Sequence, residues 1–464
     1  MFQLTSFSSN VACILPGGES YTYSDLARMS QELKDHLESR TLTFCLCENN
    51  VESLIGYIAC VENGNAILLL DAHIDSQALA HLYETYQPQY VWAGKEVSLE
   101  GVCEMYSSLE YTLYRTSYKQ GQPLPEELRV LLTTSGSTGS PKLVRLSEKN
   151  LFSNAKSIIE YLHITAEERP VSSLPMYYSF GLSVINSHLM CGATLLLTKA
   201  SYVQREFWSF ANEYGFTSFS GIPYTFEILK MIRFWTMKFP TLKTLTQAGG
   251  KLNNELLKYF IENGKEHGVT FYLMYGQTEA TARMSYLPPE YALSKLGSIG
   301  MGIPGGEFSL EDDGGKVITE PNVVGELVYM GDNVSLGYAE TREDLYKGNE
   351  NKGVLHTGDL AYRDTDGFYY IAGRKKRFLK LFGNRVSLDY IETLLKPLLK
   401  ECVCVGNDST LYVYTTDKDF DATKIVDFLV QRTKILRSSF IVRYIDAIPR
   451  SETGKILYKE LSIE

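Results

Sequence analysis

Eight cysteines are scattered through 464 residues without one Cys-x-x-Cys pair, and the seven histidines, among them His163, His188 and His356, stand at no metal-ligand spacing to one another or to cysteine. That pattern excludes the usual structural zinc sites. Cys45/Cys47 and Cys402/Cys404 are spaced two apart, so each pair faces one side of a strand and reads as small apolar residues in a reducing compartment. Long hydrophobic runs are missing too. The longest, such as 66–70 and 193–197, fall far short of the ~20 residues a membrane helix needs, and the N-terminus has no basic stretch ahead of an apolar one. A cytoplasmic chain with no membrane span is expected. Positive charge is scarce: 45 Lys and Arg against 55 Asp and Glu leave a formal net charge of -10, which argues against a nucleic-acid partner.

What is present is an ordinary globular composition, 44% hydrophobic and 22% charged, in a chain long enough for two or more domains. Up to about residue 122, strand-like runs at 43–47, 66–70 and 90–93 alternate with helical periodicity, as in Leu26, Met29, Leu33 and Leu37 behind a candidate N-cap at Ser24. This predicts a mostly parallel α/β sheet. From 325 to 374 the texture changes to short strands with an Asp366-Gly367 hairpin turn, which predicts a β-rich subdomain. The basic run Arg374-Lys375-Lys376-Arg377 is either a solvated face or a hinge, and a stretch of strand and helix signals follows it. One decoy is Gly300-Met301-Gly302-Ile303-Pro304-Gly305, formally a GxGxxG. With Pro304 and Gly305-Gly306 behind it no helix can start there, so it is expected to be a loop rather than a dinucleotide fingerprint.

The stretch with the most chemistry is Thr133, Thr134, Ser135, Gly136, Ser137, Thr138, Gly139, Ser140, Pro141 and Lys142, directly behind the apolar Val130-Leu131-Leu132. Glycines let backbone N–H groups approach an anion, hydroxyls donate further, and Lys142 adds a full charge, so the loop suits a polyphosphate better than it suits a plain linker. It is not a Walker A loop: Gly136 and Gly139 are too close together and no Ser or Thr follows Lys142. Ser147 then caps a helix bearing Leu151, Ala155, Ile158 and Leu162, which gives a strand, phosphate loop and helix in series. Apolar runs ending in turns at Gly221-Ile222 and Gln247-Ala248-Gly249 are candidate pocket walls, because ligands in open α/β sheets bind at the carboxyl ends of strands. Tyr275-Gly276-Gln277-Thr278-Glu279 follows another such run, with residue types suited to stack on a base, bond a phosphate oxygen and hold Mg²⁺, or simply to cap a helix. Locally, Tyr177, Tyr178 and Phe180 read as core aromatics, Asp359 as a turn aspartate, and Lys455 as surface charge.

Six stretches, TTSGSTGSPK, YGQTEAT, GELVYMGDNVSLGY, HTGDLAYRDTDGFYYIAGR, KKRFLKLFGNRVSLDYIE and PRSETGK, occur in this order, and the chain thereby resembles the adenylate-forming superfamily of acyl-CoA synthetases, peptide-synthetase adenylation domains and luciferases. The resemblance implies an α/β fold: a large N-terminal domain of α/β sheets with a β-rich subdomain, residues 1–375, and a small mobile C-terminal α+β domain, residues 376–464. It implies an enzyme that couples a carboxylic acid to ATP, giving an acyl-adenylate and pyrophosphate, and then passes the acyl group to the thiol of CoA or of a carrier protein's phosphopantetheine. By motif position, the loop from Thr134 to Lys142 would embrace the β- and γ-phosphates, Thr278 the α-phosphate and Glu279 Mg²⁺. Tyr275, with Gly276 and Gln277, would hold adenine, and Asp359 and Arg374 the ribose. Lys455 would bridge carboxylate and α-phosphate. Lys376 takes the hinge position, and Lys380 and Gly383 serve the second half-reaction. An acid with a pKa near ~4–5 is already ionised at neutral pH, so the first step needs positioning and charge neutralisation rather than a base.

The acyl pocket would be lined by Tyr177, Tyr178, Phe180, Gly221, Ile222, Gln247 and Gly249. Amino-acid-activating members place an Asp where this chain has Tyr178, and a tyrosine cannot neutralise a buried ammonium. An uncharged acyl or aryl acid is therefore the expected substrate. The alternatives are a stand-alone amino-acid adenylating enzyme that loads a carrier protein, and a nucleotide-binding relative without catalysis.

Overall fold

The computed structural model describes residues 1–95, 101–119, 121–133, 142–375, 377–381, 384–407, 409–433, 435–450 and 456–461. The chain divides into two compact units: Met1–Glu307 with Tyr329–Leu355, and Phe308–Val328 with His356–Glu464.

The first unit is built on two larger sheets. One has eight strands in the spatial order Gly337–Ala339, Leu143–Ser147, Leu128–Thr133, Ala66–Asp71, Leu42–Cys47, Tyr90–Gly94, Tyr111–Arg115 and Cys103–Ser108. Its four central strands run parallel. Parallel strands are covered on both faces, which is why Leu42–Cys47 is buried at every residue and its sequence is apolar except for Thr43. Cys45 and Cys47 enter one core while Leu42, Phe44 and Leu46 enter the other, as the two-residue alternation requires. The second sheet places Ser218–Gly221, Thr244–Gln247 and Thr270–Tyr275 in parallel, then adds Ser285–Leu287 and Met301–Gly302 antiparallel. The GxGxxG decoy is thus a short edge strand and turn with no helix behind it. At Gly300, φ +82°, a Cβ would fall 1.9 Å from the Tyr286 carbonyl oxygen.

Helix Tyr23–Lys34 buries Leu26, Met29 and Leu33 as the periodicity predicts, but its cap is Thr22 and not Ser24. Thr22 accepts from the Asp25 N–H at 3.1 Å and the Asp25 carboxylate accepts from the Thr22 N–H at 2.9 Å, so the capping box selects the residue three positions ahead of the acid. Between the phosphate loop and helix Glu148–Leu162, which Ser147 does cap, lies strand Leu143–Ser147, antiparallel to Leu128–Thr133. The strands on either side of the loop are thus antiparallel partners, and the chain does not pass directly from the loop into a helix N-terminus as the sequence pattern predicts.

The four-stranded sheet Gly306–Glu311, Gly325–Gly331, Val354–Arg363, Tyr369–Arg374 is the expected β-rich region, and most of its residues belong to the second unit. A hairpin of Phe378–Leu381 with Asn384–Ser387 follows. Then comes a three-stranded sheet, Cys402–Gly406, Leu411–Thr415 and Phe440–Tyr444, whose core is completed by helices Leu388–Leu395 and Ala422–Thr433. Among the described residues no helix is long and apolar enough to cross a membrane.

Candidate active site

In the first unit the residues singled out by motif converge on the carboxyl end of strand Thr270–Tyr275. Gly276 permits the turn there: a Cβ would lie 1.7 Å from the Ala282 carbonyl oxygen, so no other residue fits while the chain doubles back. Thr278–Ala280 forms one 3-10 turn, not the start of a helix. Thr278 Oγ1 lies 3.1 Å from Ser179 Oγ, and Gln277 Nε2 donates to the Tyr275 hydroxyl at 3.3 Å.

Thr134, Ser135, Gly136, Ser137, Thr138 and Gly139 lie outside the described residues, but the loop's far end does not. The Lys142 ammonium sits 3.6 Å from the centroid of the Tyr338 ring and 3.7 Å from Glu340 Oε1. The Tyr338 hydroxyl donates to Glu279 Oε1 at 2.8 Å. Burial and the adjoining Glu279 carboxylate push the Tyr338 phenol well above its ordinary range, so it stays protonated as that donor. Lysine, tyrosine and glutamate form one chain from the phosphate loop to the Thr278-Glu279 turn. Glu279 Oε2 has no protein partner among the described residues. One free carboxylate oxygen fits Mg²⁺, which takes one or two carboxylates and fills its other positions with water and phosphate oxygens.

Sequence reasoning missed the residue that places Tyr338. Arg145 is fully buried and donates from Nε to the Tyr338 carbonyl at 3.0 Å and from Nη2 to the Leu336 and Gly348 carbonyls, each at 3.2 Å. It also meets Glu350 Oε2 at 2.6 Å. Burial lowers its pKa, and the Glu350 carboxylate opposes that. Its only sequence signal is a lone arginine inside an apolar strand.

The proposed pocket residues fall in two groups. Tyr178 and Phe180 contact edge to face, centroids 6.4 Å apart, and share a cluster with Ala248, Tyr272 and Met274. Gly249, φ +83°, leaves room where a Cβ would fall 2.6 Å from the Tyr178 hydroxyl and 3.1 Å from Ile222. Gly221 and Gln247 are direct neighbours in the sheet register. Gln247 is fully buried; its Nε2 donates to the Ala248 and Gly250 carbonyls, each at 3.0 Å, while its Oε1 has no partner among the described residues. Burial pushes the Tyr178 phenol up to about 12, so it is a neutral hydroxyl. Tyr177 turns the other way, packs against the core of the eight-stranded sheet and donates to Asp71 Oδ2 at 2.6 Å. A small, mostly apolar cleft opens on the neighbouring face of helix Ser179–Met190, bordered by Ser173, Gly181, Val184 and Ser220, and among the described residues no titratable side chain lines it.

In the second unit Asp359 and Arg374 are direct cross-strand partners, with Asp359 Oδ1 3.2 Å from Arg374 Nε. The Asp359 backbone is held by Thr357 Oγ1, which bonds on to the Leu327 carbonyl. Lys376, Gly383, Lys455 and the side chain of Lys380 lie outside the described residues. Their flanks are anchored: Lys375 meets Glu326 at 2.6 Å, Arg377 meets Glu392 at 2.7 Å and also Asp389, and Asp389 accepts from the Arg374 N–H at 2.8 Å. An antiparallel bridge between Arg450 and Ile456 brackets the segment that holds Lys455.

Residues 3–339 match the family described as AMP-binding enzyme. A 2-succinylbenzoate–CoA ligase of Bacillus subtilis is 26% identical over 412 residues, 86% of this chain and 78% of the relative. A long-chain-fatty-acid–CoA ligase of Escherichia coli O157:H7 is 29% identical over 368 residues, 76% of this chain and 64% of the relative. The solved structure of O-succinylbenzoate coenzyme A synthetase from Bacillus subtilis in complex with AMP superposes with a TM-score of 0.80 at 23% identity, covering 99% of this chain and 98% of that one.

Proposed function

The chain belongs to the AMP-binding enzyme family, and from that premise we propose that it activates a carboxylic acid with ATP to an acyl-adenylate, releases pyrophosphate, and transfers the acyl group to the thiol of CoA. The observation that carries this reading is the chain from Lys142 through Tyr338 to Glu279. It ties a donor-rich loop suited to the departing pyrophosphate to a carboxylate suited to its Mg²⁺.

The chemistry asks little of acid–base groups. The substrate carboxylate is the nucleophile at the α-phosphorus, pyrophosphate leaves, and catalysis consists of alignment and charge neutralisation. Lys142 and the loop hydroxyls stabilise the leaving group, and Thr278, held by Ser179, donates to the α-phosphate. Tyr275 stacks on adenine, Asp359 and Arg374 hold the ribose, and Lys455 neutralises the charge that develops between carboxylate and phosphate. Bound Mg²⁺ would neutralise phosphate charge at Glu279.

We assign residues 1–375 to the AMP-binding domain and 376–464 to a C-terminal domain that turns about Lys376 between the two steps, with Lys380 and Gly383 serving the second. CoA is preferred over a carrier-protein phosphopantetheine because the CoA ligases are the similar proteins. The compartment is the cytoplasm.

The test is pyrophosphate exchange into ATP over a panel of fatty, aryl, dicarboxylic and amino acids. Exchange with at least one non-amino acid, lost in Lys455→Ala, is expected. Exchange with amino acids alone would identify an amino-acid adenylating enzyme instead, and unchanged exchange in Lys455→Ala would refute the mechanism.

A further inference from the structure

Arg283 follows the Thr278-Glu279 turn and is 2% exposed, yet no carboxylate among the described residues pairs with it. Its Nε donates to Ser183 Oγ at 3.1 Å, its Nη1 reaches the Tyr161 hydroxyl at 3.3 Å and Met274 Sδ at 3.4 Å, and its guanidinium lies 5.0 Å over the Phe180 ring. All these partners are neutral, and Nη2 has no partner among the described residues. A guanidinium cannot shed its proton, and a buried cation without a counter-charge is unfavourable unless a ligand brings one. His188, on which the Arg283 charge acts, gives no relief: burial holds its pKa down to about 4, so it is neutral at physiological pH. The main chain at Arg283 is fixed, its carbonyl accepting from Asn154 Nδ2 at 2.8 Å and Asn333 Nδ2 at 3.2 Å. The side chain is thus held in place by its backbone and three helix or strand contacts.

Its position relates it to the acid site. Helix Ser179–Met190 presents Ser179 to Thr278 and Ser183 to Arg283. Those two serines are one helical turn apart, about 6 Å along the axis. Phe180 between them meets Tyr178 edge to face and carries Arg283 over its ring. We propose that Arg283 is the counter-charge for a second acidic group on the substrate, so that the acid activated at Thr278 is a short dicarboxylic acid whose far carboxylate pairs with Arg283. This rests on the acid-activating reading of the site and replaces the uncharged acid that Tyr178 alone suggests. It also disfavours an amino acid, whose ammonium would meet a cation.

Pyrophosphate exchange with succinic, glutaric and adipic acids, each against its monomethyl ester and the monocarboxylic acid of the same length, tests it in wild type, Arg283→Met and Arg283→Lys. Wild type should favour at least one diacid over its ester in kcat/KM by about 10- to 100-fold, the range for one charged hydrogen bond. Arg283→Met should collapse that ratio, and Arg283→Lys should keep part of it. If monocarboxylic acids and esters exchange as well as diacids, the proposal fails while the ligase reading stands; if no acid exchanges, both fail. A purely structural arginine would lower all acids alike and leave the ratio untouched. Should Arg283→Met not fold, the wild-type ratio and Arg283→Lys still decide.

Discussion

Replacing Tyr338 by phenylalanine removes one hydroxyl and leaves the ring under Lys142. The lost bond, 2.8 Å to Glu279 Oε1, is to an ionised carboxylate, and such bonds contribute about 1.5–3 kcal/mol. At about 1.4 kcal/mol per tenfold, adenylation should fall roughly 10- to 100-fold in kcat/KM. Tyr338→Leu also removes the ring that Lys142 covers at 3.6 Å. An exposed cation–π contact contributes about 0.5–1 kcal/mol, so this variant should lose a further two- to fivefold. Lys142→Ala should weaken adenylation, and combined with Tyr338→Leu it should cost less than the two losses summed, because both remove the same contact. The assay is pyrophosphate exchange with one accepted acid, alongside thioester formation from a supplied acyl-adenylate, which all four variants should spare. A Tyr338→Phe enzyme that exchanges at the wild-type rate would refute the chain from loop to metal-binding carboxylate.

Glu350→Gln strips Arg145 of the only carboxylate that forms an ion pair with it among the described residues while leaving its carbonyl bonds. Losing one partner of a fully buried pair costs about 3–5 kcal/mol; Glu350 is 48% exposed, so solvent reduces this to roughly 1–3 kcal/mol, measurable as a lower urea midpoint. A loss below about 0.5 kcal/mol would mean that the carbonyls alone hold the guanidinium. His188 predicts an acid-side weakness. Burial lowers its pKa from 6.5 to about 4, so the unfolded chain binds the proton more readily. Its contribution is complete above about pH 6.5 and is lost as pH falls towards 4, about 3 kcal/mol in all. His188→Gln should flatten the pH dependence of the urea midpoint across that window, and an unchanged slope would show that His188 does not set it.

Local patterns carried much of the fold. Parallel central strands are buried on both faces, so they are largely apolar runs in the sequence, and ends at Gly221 and Gln247 mark the carboxyl termini of two of the parallel strands in the second sheet. Helix 148–162 and its Ser147 cap follow from spacing alone. Near misses arose where two local signals competed: Thr22 and Ser24 are both cap residues, and only pairing with Asp25 decides between them. Strand Leu143–Ser147 was hidden because five residues between a loop and a cap carry too little periodicity to declare themselves.

The sequence by itself determined which chemistry is available: hydroxyls, a lysine and glycines behind a buried strand, a turn that only Gly276 allows, and an acid beside it. Tertiary structure alone decided what those groups touch. Tyr177 and Tyr178 are adjacent in the chain, yet a helix starts between one core and another, and they part to Asp71 and to Gly249. Tyr338 meets Glu279 across 59 residues, Arg145 meets Leu336 across 191, and Arg283 meets Ser183 across 100. Burial gives these contacts their strength, and whether an arginine in an apolar stretch is paired or waiting for a ligand depends on residues that no local window contains.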